Sequence, residues 1–307
     1  MLNIVGNKKI FFTISLVLMV ASIASLIFQG FNLDTDFAGG MAVTFSLGTD
    51  FDVKDVEAIV SEALGANQKA SSVQKSENNE VIIKFGFDNA LKTDDERTAF
   101  SNEKIAAITA KLTEAYGEIE VSNKDVVSPS TGRELARSAV WMSIFAAIAI
   151  LIYITFRFEF VSGVCAVIAL IHDVLILCGI YSICRIAIDT TFIAAVLTVL
   201  GYSINATIVI FDRIRENTRH AKKQTYSEIS NTSVNQTLGR SINTTITTLL
   251  TIGMVYILGV TSIREFALPI IIGILVGTYS SICIAGSVLA TWKDSVVNAK
   301  AKAKASK

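Results

Sequence analysis

The residue with the most chemical potential in this chain is an aspartate inside a long apolar run. Asp173, preceded by His172, sits near the middle of Phe160–Ile183, a run of 24 residues that holds no other acidic or basic side chain. At the centre of a membrane helix a carboxylate costs about 2.5–3.5 kcal/mol on insertion scales. Such a group faces a partner or a wet cavity and is suited to carrying an ion. The plainer alternative is a neutral aspartic acid that ties two helices by hydrogen bonds. His172 can relay a proton beside it or simply pack. A second group lies in and before Gly201–Asn217, GYSINATIVIFDRIREN, where Thr198, Tyr202 and Asn205 recur at helical spacing and share one side of a helix. Lipid satisfies no hydrogen bond, so that side must meet a partner helix or water. Position 206, next to Asn205, is Ala and cannot titrate.

Other polar residues have simpler readings. Asp212, Arg213, Arg215 and Glu216 form a solvated helical extension, with Asp212–Arg215 and Glu216–Arg219 as i,i+3 pairs. Thr244, Thr245, Thr247, Thr248 and Thr251 make one apolar run rich in hydroxyls, for interhelical bonding or a water-lined path. The four cysteines, Cys165, Cys178, Cys184 and Cys283, fall in or beside apolar runs with no C-x-x-C or His/Cys cluster, so no metal site is expected. Neither a nucleophile–base–orienter set nor a phosphate-cradling G-x-x-x-x-G-K-[ST] segment is present, and the chain is read as no enzyme.

These residues need a membrane to hold them. The composition is 51% hydrophobic with mean hydropathy +0.53. Six runs are long enough to span: Ile10–Phe28, Ala139–Phe156, Phe160–Ile183, Thr191–Phe211, Ile242–Val260 and Phe266–Thr291. The first is read as an anchor (10–29), because its 19-residue core exceeds a signal-peptide h-region. The last five make a bundle over 139–291, joined by a loop at 212–241. One set of connections, with the N-terminal 1–9 and the tail 292–307, holds 14 Lys and Arg; the short loops of the other set hold Arg185 and Arg264. The positive-inside rule therefore places both termini in the cytoplasm and residues 30–138 outside it. That segment carries 19 acidic and 11 basic residues, while the inner loops are basic, so nucleic acid is excluded and anionic lipid or cytoplasmic protein is favoured.

Within 30–138 the periodicity predicts strands at Met41–Leu47, Ala70–Gln74, Val81–Phe87 and Ile119–Val127, a turn at Ser76–Asn79, and helices at Asp52–Gly65 and Asp94–Tyr116, the latter stopped by Gly117. The order β-α-β-β-α-β is that of a ferredoxin-like α+β domain. The fold class is thus a polytopic α-helical membrane protein with six spans and one α+β extracytoplasmic domain.

Six ordered motifs resemble the SecF family, the smaller membrane subunit of bacterial SecD–SecF protein-export complexes, within the resistance–nodulation–division superfamily. They are Asp36-Phe37-Ala38-Gly39-Gly40, Ser128–Leu135, Ile171-His172-Asp173-Val174, Gly201–Asn217, Asn235–Arg240, and Arg264–Ala267 with Gly277–Ser281. The resemblance implies a multi-pass subunit of the bacterial plasma (inner) membrane. It would help draw exported, unfolded polypeptide outward beside the SecYEG channel, with a SecD-like subunit and with YajC and YidC as neighbours. Its energy would come from a proton or sodium gradient, with no cofactor. Asp36, Phe37, Gly39, Gly40, Gly201, Asp212 and Arg213 belong to the shared motifs. Gly39 and Gly40 are expected to allow close backbone approach or unusual dihedrals. Arg240 corresponds to a functionally important arginine, either a counter-charge for the proton site or an interfacial anchor. The family commonly has Asp where this chain has Ala206. Either the SecD-like partner supplies the coupling carboxylate, which is the favoured reading, or Asp173 substitutes, or this subunit carries no ion. Two rivals remain: a small-molecule or lipid exporter of the resistance–nodulation–division type, and a scaffold that couples to nothing.

Overall fold

Hydropathy and helix propensity coincide over six segments of the chain. Among the described residues of the computed structural model, six helical segments are long and apolar enough to cross a membrane: Lys8–Phe28, Pro129–Arg157, Phe160–Ile183, Thr190–His220, Tyr226–Leu258 and Thr261–Ala299. The structure describes residues 2–65, 70–76, 79–87, 91, 93–221 and 224–305. In chain order the elements are α1 (Lys8–Phe28), β1 (Asn32–Leu33), α2 (Thr35–Ala38), β2 (Gly40–Ser46), α3 (Val53–Leu64), β3 (Ala70–Lys75), β4 (Glu80–Gly86), α4 (Asp94–Tyr116) and β5 (Glu120–Val127). Then come α5 (Pro129–Arg157), α6 (Phe160–Ile183), β6 (Ala187–Ile188), α7 (Thr190–His220), α8 (Tyr226–Leu258), α9 (Thr261–Tyr279), a π-helical turn (Ser280–Ala285) and α10 (Gly286–Ala305).

The expected spans are present, but the helices run past them. Residues 212–241, expected as a loop, are helical on both sides of a short link, whose residues 222–223 lie outside the described set. The physical reason is local capping. Thr225 Oγ1 accepts from the Glu228 N–H while Glu228 accepts from the Thr225 N–H, a reciprocal box that starts α8 early. Asp294 on α10 accepts from the Tyr226 and Ser227 N–H groups and satisfies two more orphan donors. On the other side of the link α7 runs to His220, carrying the helical extension expected at Asp212–Glu216 further than its apolar run.

Helix α1 is part of the bundle. Its inward stripe is Ser15, Ser22 and Ser25, all buried, while Ile14, Leu16, Val17 and Val20 face outward. Small residues let backbones approach closely in lipid. Ser25 and Ser182 share a 2.7 Å hydroxyl bond. Outward apolar side chains on α1 and α5, among them Trp141 and Phe145, form the surface that lipid covers.

The α+β domain follows the expected element order. Its four strands are antiparallel in the order β3-β4-β2-β5. The alternation in β4 buries Val81, Ile83 and Phe85 against Val56 and Val60 of α3 and Ile108 and Leu112 of α4. Gly117, at φ +88°, ends α4. Glu77 and Asn78 of the expected turn lie outside the described residues. One feature has no counterpart in the sequence pattern: β1 and β6 form a two-residue parallel pair, Asn32 with Ala187 and Leu33 with Ile188.

Candidate functional site

Asp173 is fully buried, at 0% exposure, and both its oxygens are engaged by different elements. Oδ2 accepts from Ser203 Oγ of α7 at 2.6 Å and from Ser280 Oγ of the π-turn at 2.8 Å. Oδ1 lies 2.9 Å from His172 Nδ1. The other ring nitrogen, Nε2, is 3.0 Å from Ser15 Oγ of α1, and Ser15 reaches the Tyr279 hydroxyl at 3.2 Å. Tyr279 donates to the Phe11 carbonyl at 2.9 Å and its ring stacks on His172. The result is one hydrogen-bonded chain across α7, α6, α1 and the end of α9.

The local backbone explains why these groups can meet. Gly277 lets α9 approach α7, since a Cβ there would sit 2.9 Å from Ser203 Cβ. The π-turn widens the helix by one residue and turns both Ser280 and Ser281 inward, each at 0% exposure. Ser281 also bonds Thr207 Oγ1 at 2.9 Å. Every hydroxyl hydrogen in such a chain can rotate, so a proton shared by Asp173 and His172 leaves the bond count unchanged. With the proton on His172, both ring nitrogens donate, to Asp173 and to Ser15. With it on Asp173, the carboxyl donates to Nδ1 instead.

The expected stripe of Thr198, Tyr202 and Asn205 lies elsewhere. Thr198 and Asn205 are exposed, and Thr198 only donates back to the Ala194 carbonyl. Tyr202 is half-buried and reaches Thr245 Oγ1 at 3.5 Å. Gly201 and Arg240 are exposed as well, and Ala206 is half-buried. Among the described residues, no ion pair or side-chain hydrogen bond joins Arg240 to Asp173. The polar side of α7 and the neighbouring side of α8, with Thr244 and Thr247, therefore face out of this chain's own bundle. The pairs expected at Asp212–Arg215 and Glu216–Arg219 are replaced: Asp212 is exposed, Arg213 bonds Glu216 and Gln236, and Arg215 donates to the Arg157 carbonyl. Arg213 reaches α8 because Gln236 lies across the helix–helix contact, which i,i+3 counting ignores.

The Asp36–Gly40 motif is a clamp between the α+β domain and the bundle. Asp36 accepts from the N–H and hydroxyl of Thr190, fastening the start of α7. Phe37 is buried in the bundle core. Gly39 has φ +82°, and a Cβ on it would lie 2.8 Å from Pro129, while one on Gly40 would lie 2.5 Å from the Phe85 carbonyl oxygen. Beside it, Asp34 takes a 2.7 Å ion pair from Lys84 of β4. Burial pushes the Lys84 ammonium down, but Asp34, helped by Asp36 and Asp189, outweighs it and holds the group above the usual lysine value. A second tie runs from Gln74 of β3 to Glu265 and Ser262 of α9.

Asp173 and His172, singled out in the sequence, are bonded to Ser203, Ser280 and Ser15, which the sequence did not single out. The signal was present, because each is a serine inside an apolar run; what was absent is helix rotation, which decides the facing side.

The family described as protein export membrane protein SecD/SecF, C-terminal, matches residues 107–295. The protein translocase subunit SecF of Sebaldella termitidis is 36% identical over 288 residues, covering 92% of this chain and 89% of that one. The chain belongs to the SecF family. SecDF of Thermus thermophilus is 35% identical over 293 residues, 95% of this chain but 38% of that one. The crystal structure of SecDF from that organism, described as a translocon-associated membrane protein, superposes with a TM-score of 0.76 at 33% identity. It is matched over 95% of this chain and 39% of its own length. SecDF in a super-membrane-facing form gives 0.72 at 32% identity. As a SecF-family chain, the protein is a multi-pass membrane subunit accessory to the Sec translocase. Relatives that carry SecD and SecF in one chain indicate a SecD-like partner.

Proposed function

We infer that this subunit takes part in ion-driven late steps of protein export, with Asp173 as the titrating group inside its own bundle. One observation carries the reading: a fully buried carboxylate bonded by hydroxyls from α7 and the π-turn and by an imidazole leading to α1. When ionised, Asp173 accepts from Ser203 and Ser280 and draws three elements together. A proton on Oδ2 turns an acceptor into a donor, and at least one serine must then release its bond or reverse it. The packing of α6 on α7 and α9 changes with it. The clamp at Asp36 and the Gln74–Glu265 tie carry that movement to the α+β domain, which handles the emerging polypeptide.

The strand order β3-β4-β2-β5 with α3 and α4 supports a ferredoxin-like domain outside the cytoplasm. The basic connections support cytoplasmic termini in a bacterial plasma membrane. The exposed face of Thr198, Gly201, Asn205 and Arg240 is the surface for the SecD-like subunit, whose own carboxylate then sits opposite Ala206 and adds to the ion path. SecYEG, YajC and YidC are the further neighbours in this reading, and a proton or sodium gradient is the energy source. Residues 1–9 and 292–307 are its cytoplasmic ends. A second reading, a scaffold without coupling, is favoured by Ala206 alone. The test is translocation of a secretory precursor into vesicles holding the complex. Asp173→Asn, which keeps the shape and loses the charge change, is expected to lower gradient-stimulated translocation at least tenfold. Unchanged stimulation removes Asp173 from the mechanism and leaves the scaffold.

A further inference from the structure

At the end of the bundle that carries the chain termini, α6, α7, α8 and α10 leave a cavity of about 220 Å³. Its floor is apolar, with Phe158, Phe211 and Leu289, and its rim carries Arg215, Arg219 and Lys293. The charges do not cancel. Glu159 pairs with Lys293 and is the sole carboxylate among the lining residues. Asp294 is committed to the start of α8 through the Tyr226 and Ser227 N–H groups. Arg215 spends one donor on the Arg157 carbonyl, and its guanidinium lies 5.8 Å from the Phe158 ring. Arg219 is exposed and has no carboxylate partner among the described residues. A pocket with three cations against one anion selects a negative ligand, and guanidinium forks match phosphate oxygens.

The surroundings say which phosphate. Phe156 and Phe160, two residues either side of Phe158, are 89% and 62% exposed on the surface that meets hydrocarbon. A small hydrated anion gains nothing from an apolar floor and bare aromatic flanks; a ligand that is part headgroup and part acyl chain gains from both. We propose that this cavity binds the phosphodiester headgroup of an anionic phospholipid, with its acyl chains along Phe156 and Phe160. The bound headgroup would bridge α7 to α10.

The experiment is native mass spectrometry of the full-length chain from phosphatidylcholine micelles doped with phosphatidylglycerol. One phosphatidylglycerol is expected to be retained in preference to phosphatidylcholine. Each basic group near headgroups contributes about fivefold, so Arg215→Gln with Arg219→Gln should weaken retention about twenty-five-fold. Lys9→Gln with Arg213→Gln removes equal charge outside the cavity and should change it less than twofold. Glu159→Gln frees Lys293 and should strengthen retention, a gain that a misfolded variant does not give. Equal losses in the two double variants overturn the proposal, as does wild-type retention without headgroup preference. Inorganic phosphate that binds alone and displaces the lipid at millimolar concentration overturns the lipid as the source.

Discussion

The two sides of α7 are built on opposite principles. The inward side presents Ser203 and Thr207, both about 1% exposed, to a network in which each hydroxyl has a partner within this chain. The outward side presents Thr198, Gly201 and Asn205 at the same membrane depth, exposed and without a partner helix of their own. One helix thus carries a finished polar site and an unfinished one. The finished site must contribute to the stability of the isolated subunit; the unfinished site can contribute only when another chain covers it. Stability and assembly should therefore respond to different residues on one helix.

The sharpest way to break that contrast is Asp173→Leu. It leaves Ser203 and His172 buried without their Asp173 partner, while Ser280 keeps the Gly277 carbonyl as an acceptor, and each orphaned group costs about 1–3 kcal/mol, so a loss on the order of 4 kcal/mol is expected. Thermal unfolding of the isolated chain in detergent measures it; a loss below about 1 kcal/mol would mean the network is not a unit. Ser203→Ala removes one hydrogen bond to a carboxylate and should cost about 1.5–3 kcal/mol in the same assay. Asn205→Leu should change that stability by less than about 0.5 kcal/mol. The same variant should lower co-purification of the SecD-like subunit several-fold. A variant that unfolds the isolated chain would show that Asn205 has a partner within it.

The smallest effect belongs to the Asp34–Lys84 pair at the clamp. Lys84 is held above its ordinary value of 10.5, so its contribution is complete below that pH and disappears as pH rises through the higher folded value. Unfolding temperatures of the wild type should therefore drop more than those of Lys84→Met between pH 10 and pH 12. Parallel curves would remove the pair from the stability of the clamp.

Particular residues show what the sequence made legible. The strands of the α+β domain declare themselves because one face is buried and period-2 alternation survives, as in Val81, Ile83 and Phe85. Asp173 is visible because, His172 apart, nothing else in its run is acidic or basic. Ser203 and Ser280 are hidden because serine is unremarkable in an apolar helix and because rotation about the axis is a tertiary property. The Thr198–Asn205 stripe is legible as a stripe, while the side it faces is set by the packing of Ser203 on Asp173. The residues before Ile242 mislead because hydropathy marks where lipid begins, whereas capping at Thr225 and Asp294 decides where α8 starts. The β1–β6 pair is too short for any periodicity to announce it.

The most direct test of the account is ion uptake by vesicles containing this subunit with its SecD-like partner, under an imposed gradient and with a secretory precursor supplied. The Asp173→Asn complex, confirmed as assembled and folded, is expected to lose at least nine-tenths of precursor-dependent uptake. Asn205→Leu, where complex still forms, should retain the rate per assembled complex. Wild-type uptake by the Asp173→Asn complex would contradict the account and move the coupling group to the partner.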